Sequence, residues 1–274
     1  MSDTIEHFRL AIAAAGLEVP NNINADGAIH RFSSSGKRGD DAGWYVLYAD
    51  GVAAGAFGCW RTCLQSTWCS KSDNAMTHSE RVAHQQRINA MKAQREADLL
   101  ANQQQARQTA GVLWEEAAIA TAAHEYLTRK GIKPHAVKLD GHRLMIPMRD
   151  TAGTLQSLQT IDQDGYKRFL PGGRVKGCFF SIGQPLDVLI VCEGFATGAS
   201  IHECTGHAVA VAFNAGNLEA VAVALRSKYP ALKIIIAADD DHQTLGNPGM
   251  TKATAAVQAT GATLAVPVFK AVAA

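Results

Sequence analysis

A chain of 274 residues, 47% hydrophobic and 19% charged, has the composition of a folded globular protein with enough length for one large or two small cores. A formal net charge of +1 gives no support for nucleic-acid binding through global charge, and no apolar run of about 18 residues marks a membrane span. The amino terminus lacks a basic and apolar signal and the six cysteines are scattered, so a cytoplasmic protein with reduced thiols is expected.

Residues 3–15 place Ile5, Phe8, Ile12 and Ala15 on one helical face, with Asp3 or Thr4 as cap and Gly16 as stop. Residues 28–32, 43–48 and 52–57 read as strands, the last two joined through the hairpin signal Asp50-Gly51. Residues 1–73 are therefore expected to form a small β-rich module. Its Arg31, Phe32, Lys37, Arg38, Trp44, Tyr45, Trp60 and Arg61 have the chemistry of a single-strand binder; equally, the aromatics suit the core of a small sheet. Cys59, Cys63 and Cys69 invite a zinc reading. Their spacing lacks the two-residue knuckle that curls the backbone around a tetrahedral ion, so zinc is not expected.

From residue 75 to 109 the chain is rich in Gln, Arg, Ala, Glu and Lys without Gly or Pro, which predicts a long polar helix. Gly111 is expected to interrupt it, with a second helix over 112–129 ended by Arg129-Lys130-Gly131. Residues 74–130 thus read as a helical connector.

Residues 131–185 are locally basic. Lys133, Lys138, Arg143, Arg149, Lys167, Arg168, Arg174 and Lys176 face only Asp140, Asp150, Asp162 and Asp164 in sequence. Strands are predicted at 144–148 and 154–161 around the Asp150–Gly153 turn, and at 167–169 and 178–182 around Pro171-Gly172-Gly173. Those glycines allow close backbone approach to phosphates.

Residues 186–274 alternate strand and helix, which predicts a small parallel sheet covered by helices: strands ending near Cys192, Phe213, Asp239 and Val268, and helices over 198–204, 219–228 and 250–260. Val188-Leu-Ile-Val-Cys192 runs into Glu193, and Ile234-Ile-Ile-Ala-Ala238 runs into Asp239-Asp240-Asp241. Short apolar runs that end in carboxylates are how buried parallel strands deliver acids to the carboxyl edge of a sheet. Converging carboxylates repel unless a divalent cation neutralises them, and oxygen-only ligation suits Mg²⁺ or Mn²⁺. His202, Glu203, Cys204 and His207 sit near a helix end, where helical spacing splays side chains and a structural role is expected. Asn214 and Asn217 follow the second strand on the acidic edge, either positioning a ligand or simply making a turn.

Glu193-Gly194 closing one strand and Asp239-Asp240-Asp241 closing a later one resemble the Toprim signature, Glu-Gly followed by Asp-x-Asp, of DnaG-type primases, topoisomerases and some nucleases. The resemblance covers about residues 186–268. Upstream, Arg143-Leu-Met-Ile-Pro147-Met-Arg149-Asp150 with Gly153, and the stretch from Lys167 to Gly183, are similar to paired segments of the DnaG-type catalytic core that topoisomerases and the nucleases lack. The nearest likeness is to short primase modules of plasmids, phages and integrative elements. It implies an α/β fold: a Toprim domain (a Rossmann-like parallel sheet with flanking helices) at 186–274, preceded by a mixed α+β primase-core subdomain and the β-rich amino-terminal module.

The resemblance further implies a DNA primase that makes short RNA primers by metal-dependent nucleotidyl transfer. Glu193, Asp239 and Asp241 would be catalytic and hold Mg²⁺ or Mn²⁺, with a lesser part for Asp240, which strand alternation turns away from its neighbours. Arg143, Arg149, Lys167, Arg168, Arg174 and Lys176 would hold template and nucleotide. Partners implied are single-stranded DNA, ribonucleoside triphosphates and a replicative helicase or relaxase, with no membrane. Gln243 stands where the family often has a further acid, which implies leaner metal ligation. The alternatives are a Toprim-type metal-dependent nuclease, against which the upstream segments argue, and a non-catalytic nucleic-acid-binding accessory or inhibitor protein.

Overall fold

A computed structural model describes residues 2–62, 64–71, 76–240, 244 and 246–267. Its contacts separate two units, Met1–Glu96 and Ala97–Ala274.

The first unit holds helix α1 (Ser2–Ala14) and strands β1 (His30–Phe32), β2 (Gly43–Tyr48), β3 (Ala54–Cys59) and β4 (Leu64–Cys69), an antiparallel sheet in sequence order. Phe8 and Ile12, one turn apart on α1, are fully buried and pack on Tyr45, Leu47 and Phe57. Phe32 and Tyr45 are therefore core residues rather than ligand-facing ones. Strand β4 escaped the sequence pattern because Gln65, Ser66 and Thr67 dilute its alternation; Trp68 fixes it, edge-on to Phe8 at 5.4 Å. Cys59 stands level with Leu64 and Cys69 with Ala54, at opposite ends of the β3–β4 ladder, and Cys63 lies outside the described residues.

Helix α2 (His78–Glu116) passes unbroken through Gly111, contrary to the expected interruption. Nothing crowds that glycine, and a run of good helix formers outweighs its cost of about 1 kcal/mol. Residues 117–124 leave the helix, because β5 (Ala118–Ile119) pairs with Leu139 and Lys138, and helix α3 (Glu125–Lys130) starts afresh. His124 caps α3, its Nδ1 accepting from the Tyr126 amide at 3.2 Å, a role usually taken by Ser, Thr, Asn or Asp and hence invisible in the sequence.

The described residues of the second unit form two five-stranded sheets. Strands β6 (Lys138–Asp140), β7 (Arg143–Arg149), β8 (Leu155–Ile161) and β9 (Lys167–Phe169) extend β5 into an antiparallel sheet. After them come β10 (Phe180–Ile182), β11 (Val188–Cys192), α4 (Phe195–Thr205), β12 (Ala208–Val211), a 3-10 turn (Ala215–Asn217), α5 (Leu218–Lys228), β13 (Lys233–Ala237), α6 (Pro248–Thr260) and β14 (Thr263–Ala265). Their sheet runs β10-β12-β11-β13-β14 and is parallel except for β10, an antiparallel edge strand.

Alternation divides this parallel sheet between two cores. Leu189, Val191, Ala208, Ala210, Ile234 and Ile236 point toward α5 and α6. Ile190, Cys192, Val209 and Val211 point the other way and join α4 with Leu144, Ile146, Met148 and Ile161 of the antiparallel sheet. That second core makes one body of the two sheets. No described helix is long and apolar enough to cross a membrane.

Candidate active site at a carboxyl edge

Because β11 and β13 are parallel neighbours in register, Cys192 beside Ala237, the chain continues from both at one edge of the sheet. Glu193 follows directly, and Asp239 comes two residues beyond Ala237. Adjacent strands lie about 4.8 Å apart, so the two carboxylates come from neighbouring strand ends. Both act on Cys192: burial first, then the negative charges of Asp239 and Glu193, push its thiol pKa up. Asp240 accepts a hydrogen bond from Asn247 Nδ2 at 2.8 Å, and Asn247 also caps α6. The middle aspartate is thereby tied to the helix that follows it. Asp241 and Gln243 lie outside the described residues.

The turn after β11 needs small residues. A Cβ on Gly198 would lie 2.6 Å from Val211 Cγ2 and 3.0 Å from Cys192 Sγ, so this glycine lets α4 settle against the sheet. At Gly194 a Cβ would stand 3.7 Å from Lys167 Nζ. Lys167 belongs to the other sheet, so its ammonium reaches across to the Glu193-Gly194 turn. Phe169, two residues on and on the same face of β9, meets Phe213 edge-on at 6.3 Å just past β12. Arg168 points oppositely and lies over the Tyr166 ring at 4.9 Å.

Asn217 makes the second link between the sheets. It is 3% exposed; its Oδ1 accepts from the Gly177 amide at 2.8 Å, and its Nδ2 donates to the carbonyls of Cys178 and Ala212 at 2.9 Å each. The loop carrying Arg174 and Lys176 is thus clamped to the carboxyl end of β12, beside β11. Both side chains line a cleft of about 740 Å³ whose far wall is α5. Beneath the same loop, Gly173 leaves no room for a side chain, since a Cβ would lie 2.0 Å from Ser157 Oγ.

The other two arginines sit apart. Arg143 and Arg149 occupy opposite ends of β7, about 20 Å apart at strand rise. Arg143 pairs with Asp140 at 3.1 Å. Arg149 donates to the Gly153 carbonyl at 2.9 Å and lies 6.0 Å over Trp114, a ring it shares with Lys138. Of the six bases, then, Lys167 approaches the Glu193-Gly194 turn, Arg174 and Lys176 line the cleft against α5, and Arg143, Arg149 and Arg168 are engaged elsewhere. Sequence reasoning did not foresee the Phe169–Phe213 contact, the Asn217 clamp or the role of Trp114.

His135, His202 and Glu203 are structural. Glu203 accepts from the Lys133 amide at 2.8 Å and from His135 Nε2 at 2.6 Å, which ties the turn after α3 to α4. His202 Nδ1 bonds the His207 carbonyl.

As a metal site, the described edge offers the carboxylates of Glu193 and Asp239, with Asp240 tied to Asn247, an oxygen donor set suited to Mg²⁺ or Mn²⁺. Among the described residues no three His, Cys, Asp or Glu side chains form a cluster able to hold a metal; Asp241 lies outside them.

Residues 188–271 match the model of the Toprim domain family. Two DNA primases TraC from Escherichia coli are similar to nearly the whole chain: one is 36% identical over 257 residues, 89% of this chain and 24% of its own length. The other is 35% identical over 282 aligned positions, 96% of this chain and 19% of its own. This chain therefore spans about a quarter or less of those relatives. The catalytic domain of a DnaG primase solved with single-stranded DNA is more distant, at 13% identity and a TM-score of 0.42, over 62% of this chain and 72% of that one. Residues 188–271 are thus a Toprim domain, in a chain homologous along most of its length to part of the TraC primases.

Proposed function

We propose that this chain is a DNA primase module, synthesising short RNA primers on single-stranded DNA. The observation that carries the reading is the extent of the TraC likeness, 89% of the chain. It necessarily includes sequence ahead of the Toprim domain, where the basic antiparallel sheet lies, and a free-standing Toprim nuclease would not require that sheet.

In this reading Glu193 and Asp239, with Asp241, hold Mg²⁺ or Mn²⁺, which when bound neutralises the triphosphate and lowers the pKa of the primer 3′-hydroxyl. Lys167, already beside Gly194, pairs with a phosphate oxygen of the incoming ribonucleotide. Arg174 and Lys176, held by the Asn217 clamp, bind the strand as it passes the same edge. Arg143, Arg149 and Arg168 engage the template farther out or brace the sheet that presents it. The functional division proposed is a strand-handling module at 1–73, a connector at 74–130, a basic core at 131–185 and the Toprim domain at 186–274. A cytoplasmic setting, a mobile-element host and a helicase or relaxase partner belong to the same proposal.

The test incubates the protein with single-stranded DNA, labelled ribonucleotides and Mg²⁺ or Mn²⁺, beside Glu193→Gln and Asp239→Ala. Short products lost in both variants are expected. Metal-dependent cleavage of DNA without synthesis would replace the primase by a nuclease.

A further inference from the structure

The feature left over by the Toprim edge is a large indole in solvent on the amino-terminal unit. Trp60 follows β3 directly and is 59% exposed. It is nonetheless ordered by its neighbours: Trp44 lies 5.7 Å away, tilted by 33°, and the Arg31 guanidinium sits 5.5 Å over its ring. The core of this unit, built from Phe8, Ile12, Tyr45, Leu47 and Phe57, does not include it.

Register shows what surrounds it. Phe32, Gly43, Cys59 and Leu64 stand level across the four strands, so the 33–42 loop leaves the sheet at the same end as Trp60. That loop carries Lys37 and Arg38, both exposed. Its Asp40 stays ionised, but its charge is paired with Arg61 at 2.8 Å and its oxygens staple the loop. Asp40 accepts from Ser34 and Ser35 hydroxyls, from the Ser35 and Ala42 amides and from Arg61, and its side chain is 5% exposed. These donors, Ser35 foremost, hold its carboxyl far below the usual range. The staple fixes the loop, whose exposed Lys37 and Arg38 leave the same end of the sheet as Trp60 and Arg31, with Asp41 and Glu18 as exposed acids beside them, Glu18 Oε2 lying 3.8 Å from where a Cβ on Gly36 would stand.

We propose that this end of the amino-terminal sheet is a binding platform for single-stranded nucleic acid, with Trp60 stacking a base and Arg31, Lys37 and Arg38 holding adjoining phosphates. Aromatic rings beside backbone-tracking cations are the physical requirement for such binding, since every base has a π-face and every linkage a charge. A duplex does not satisfy it, because its base faces are already stacked on one another.

The test uses the full chain in the Asp239→Ala background with chelator present, so that it does not depend on metal or on synthesis. Binding of a labelled oligothymidylate is followed by anisotropy over a range of salt. Trp60→Ala is expected to weaken binding roughly 5- to 100-fold, and Trp60→Phe to restore most of it. Replacing Lys37 and Arg38 with Ala is expected to flatten the slope of log K against log salt by about 1.4. Unchanged affinity of Trp60→Ala at every salt concentration, or equal affinity for a duplex of the same length, would overturn the proposal.

Discussion

The two sheets of the carboxy-terminal unit carry charge in different ways. In the parallel sheet the acids come just after strands that run in one direction, Glu193 one residue past β11 and Asp239 two past β13, so chain direction alone collects them at one edge. In the antiparallel sheet the direction alternates, and its bases are scattered: Arg143 and Arg149 at opposite ends of β7, Arg168 on the opposite face from Lys167. A parallel sheet concentrates function by topology, whereas an antiparallel one needs added devices. Here those devices are the reach of Lys167 to Gly194 and the Asn217 clamp on the Arg174–Lys176 loop.

The comparison can be broken at each of its parts. Asp239→Ala removes the acid edge, and primer synthesis is expected to fall by about 10³-fold with the urea midpoint of unfolding unchanged. Parental synthesis in that variant would remove the edge from the chemistry. Asn217→Ala leaves a buried amide and two carbonyls without their partner, and a loss of about 2–3 kcal/mol by urea unfolding is expected. A loss below about 0.5 kcal/mol would mean that the clamp does not join the sheets.

Lys167→Ala tests the reach of the second sheet, and a fall of roughly 10- to 100-fold in kcat/KM for ribonucleotide is expected, against little change for Arg168→Ala. Equal effects of the two would dissolve the distinction between the faces of β9. The smallest effect belongs to Glu203. The Lys133 amide and then the His135 hydrogen bond hold its carboxyl below the ordinary carboxylate range. A lowered folded pKa gives stability that is present above the unfolded value, about 4.3, and is lost as pH falls through the folded one. Glu203→Gln should therefore cost up to about 1 kcal/mol at pH 7 and approach the parent as pH falls through the folded pKa, and a pH-independent difference would contradict that origin.

How much could be read beforehand follows the same division. The acid edge was legible because a buried parallel strand is a continuous apolar run whose end is marked by the first carboxylate, as in Val188–Glu193. The charge of the basic segment was equally legible, but not the choice among its residues. Lys167 and Arg168 are neighbours on one strand, and only the register of β9 on β8 decides which of them faces the other sheet. Asn217 in a Gly- and Asn-containing turn looks like any turn former; that it is a three-bond buried clamp depends on a loop forty residues away. The boundary at residue 117 was hidden for a related reason, since a two-residue strand and a histidine cap leave no local signature.

In the function proposed, Lys167 of one sheet and the carboxylates of the other form a single site. The most direct measurement is Mn²⁺ affinity, by titration followed with electron paramagnetic resonance, in the parent, Asp239→Ala and Lys167→Met. A cation beside the carboxylates repels the metal, so Lys167→Met is predicted to tighten Mn²⁺ binding by about 3- to 10-fold, while Asp239→Ala abolishes it. Mn²⁺ affinity unaltered by Lys167→Met, with loss in Asp239→Ala, would place Lys167 outside the site and contradict the account.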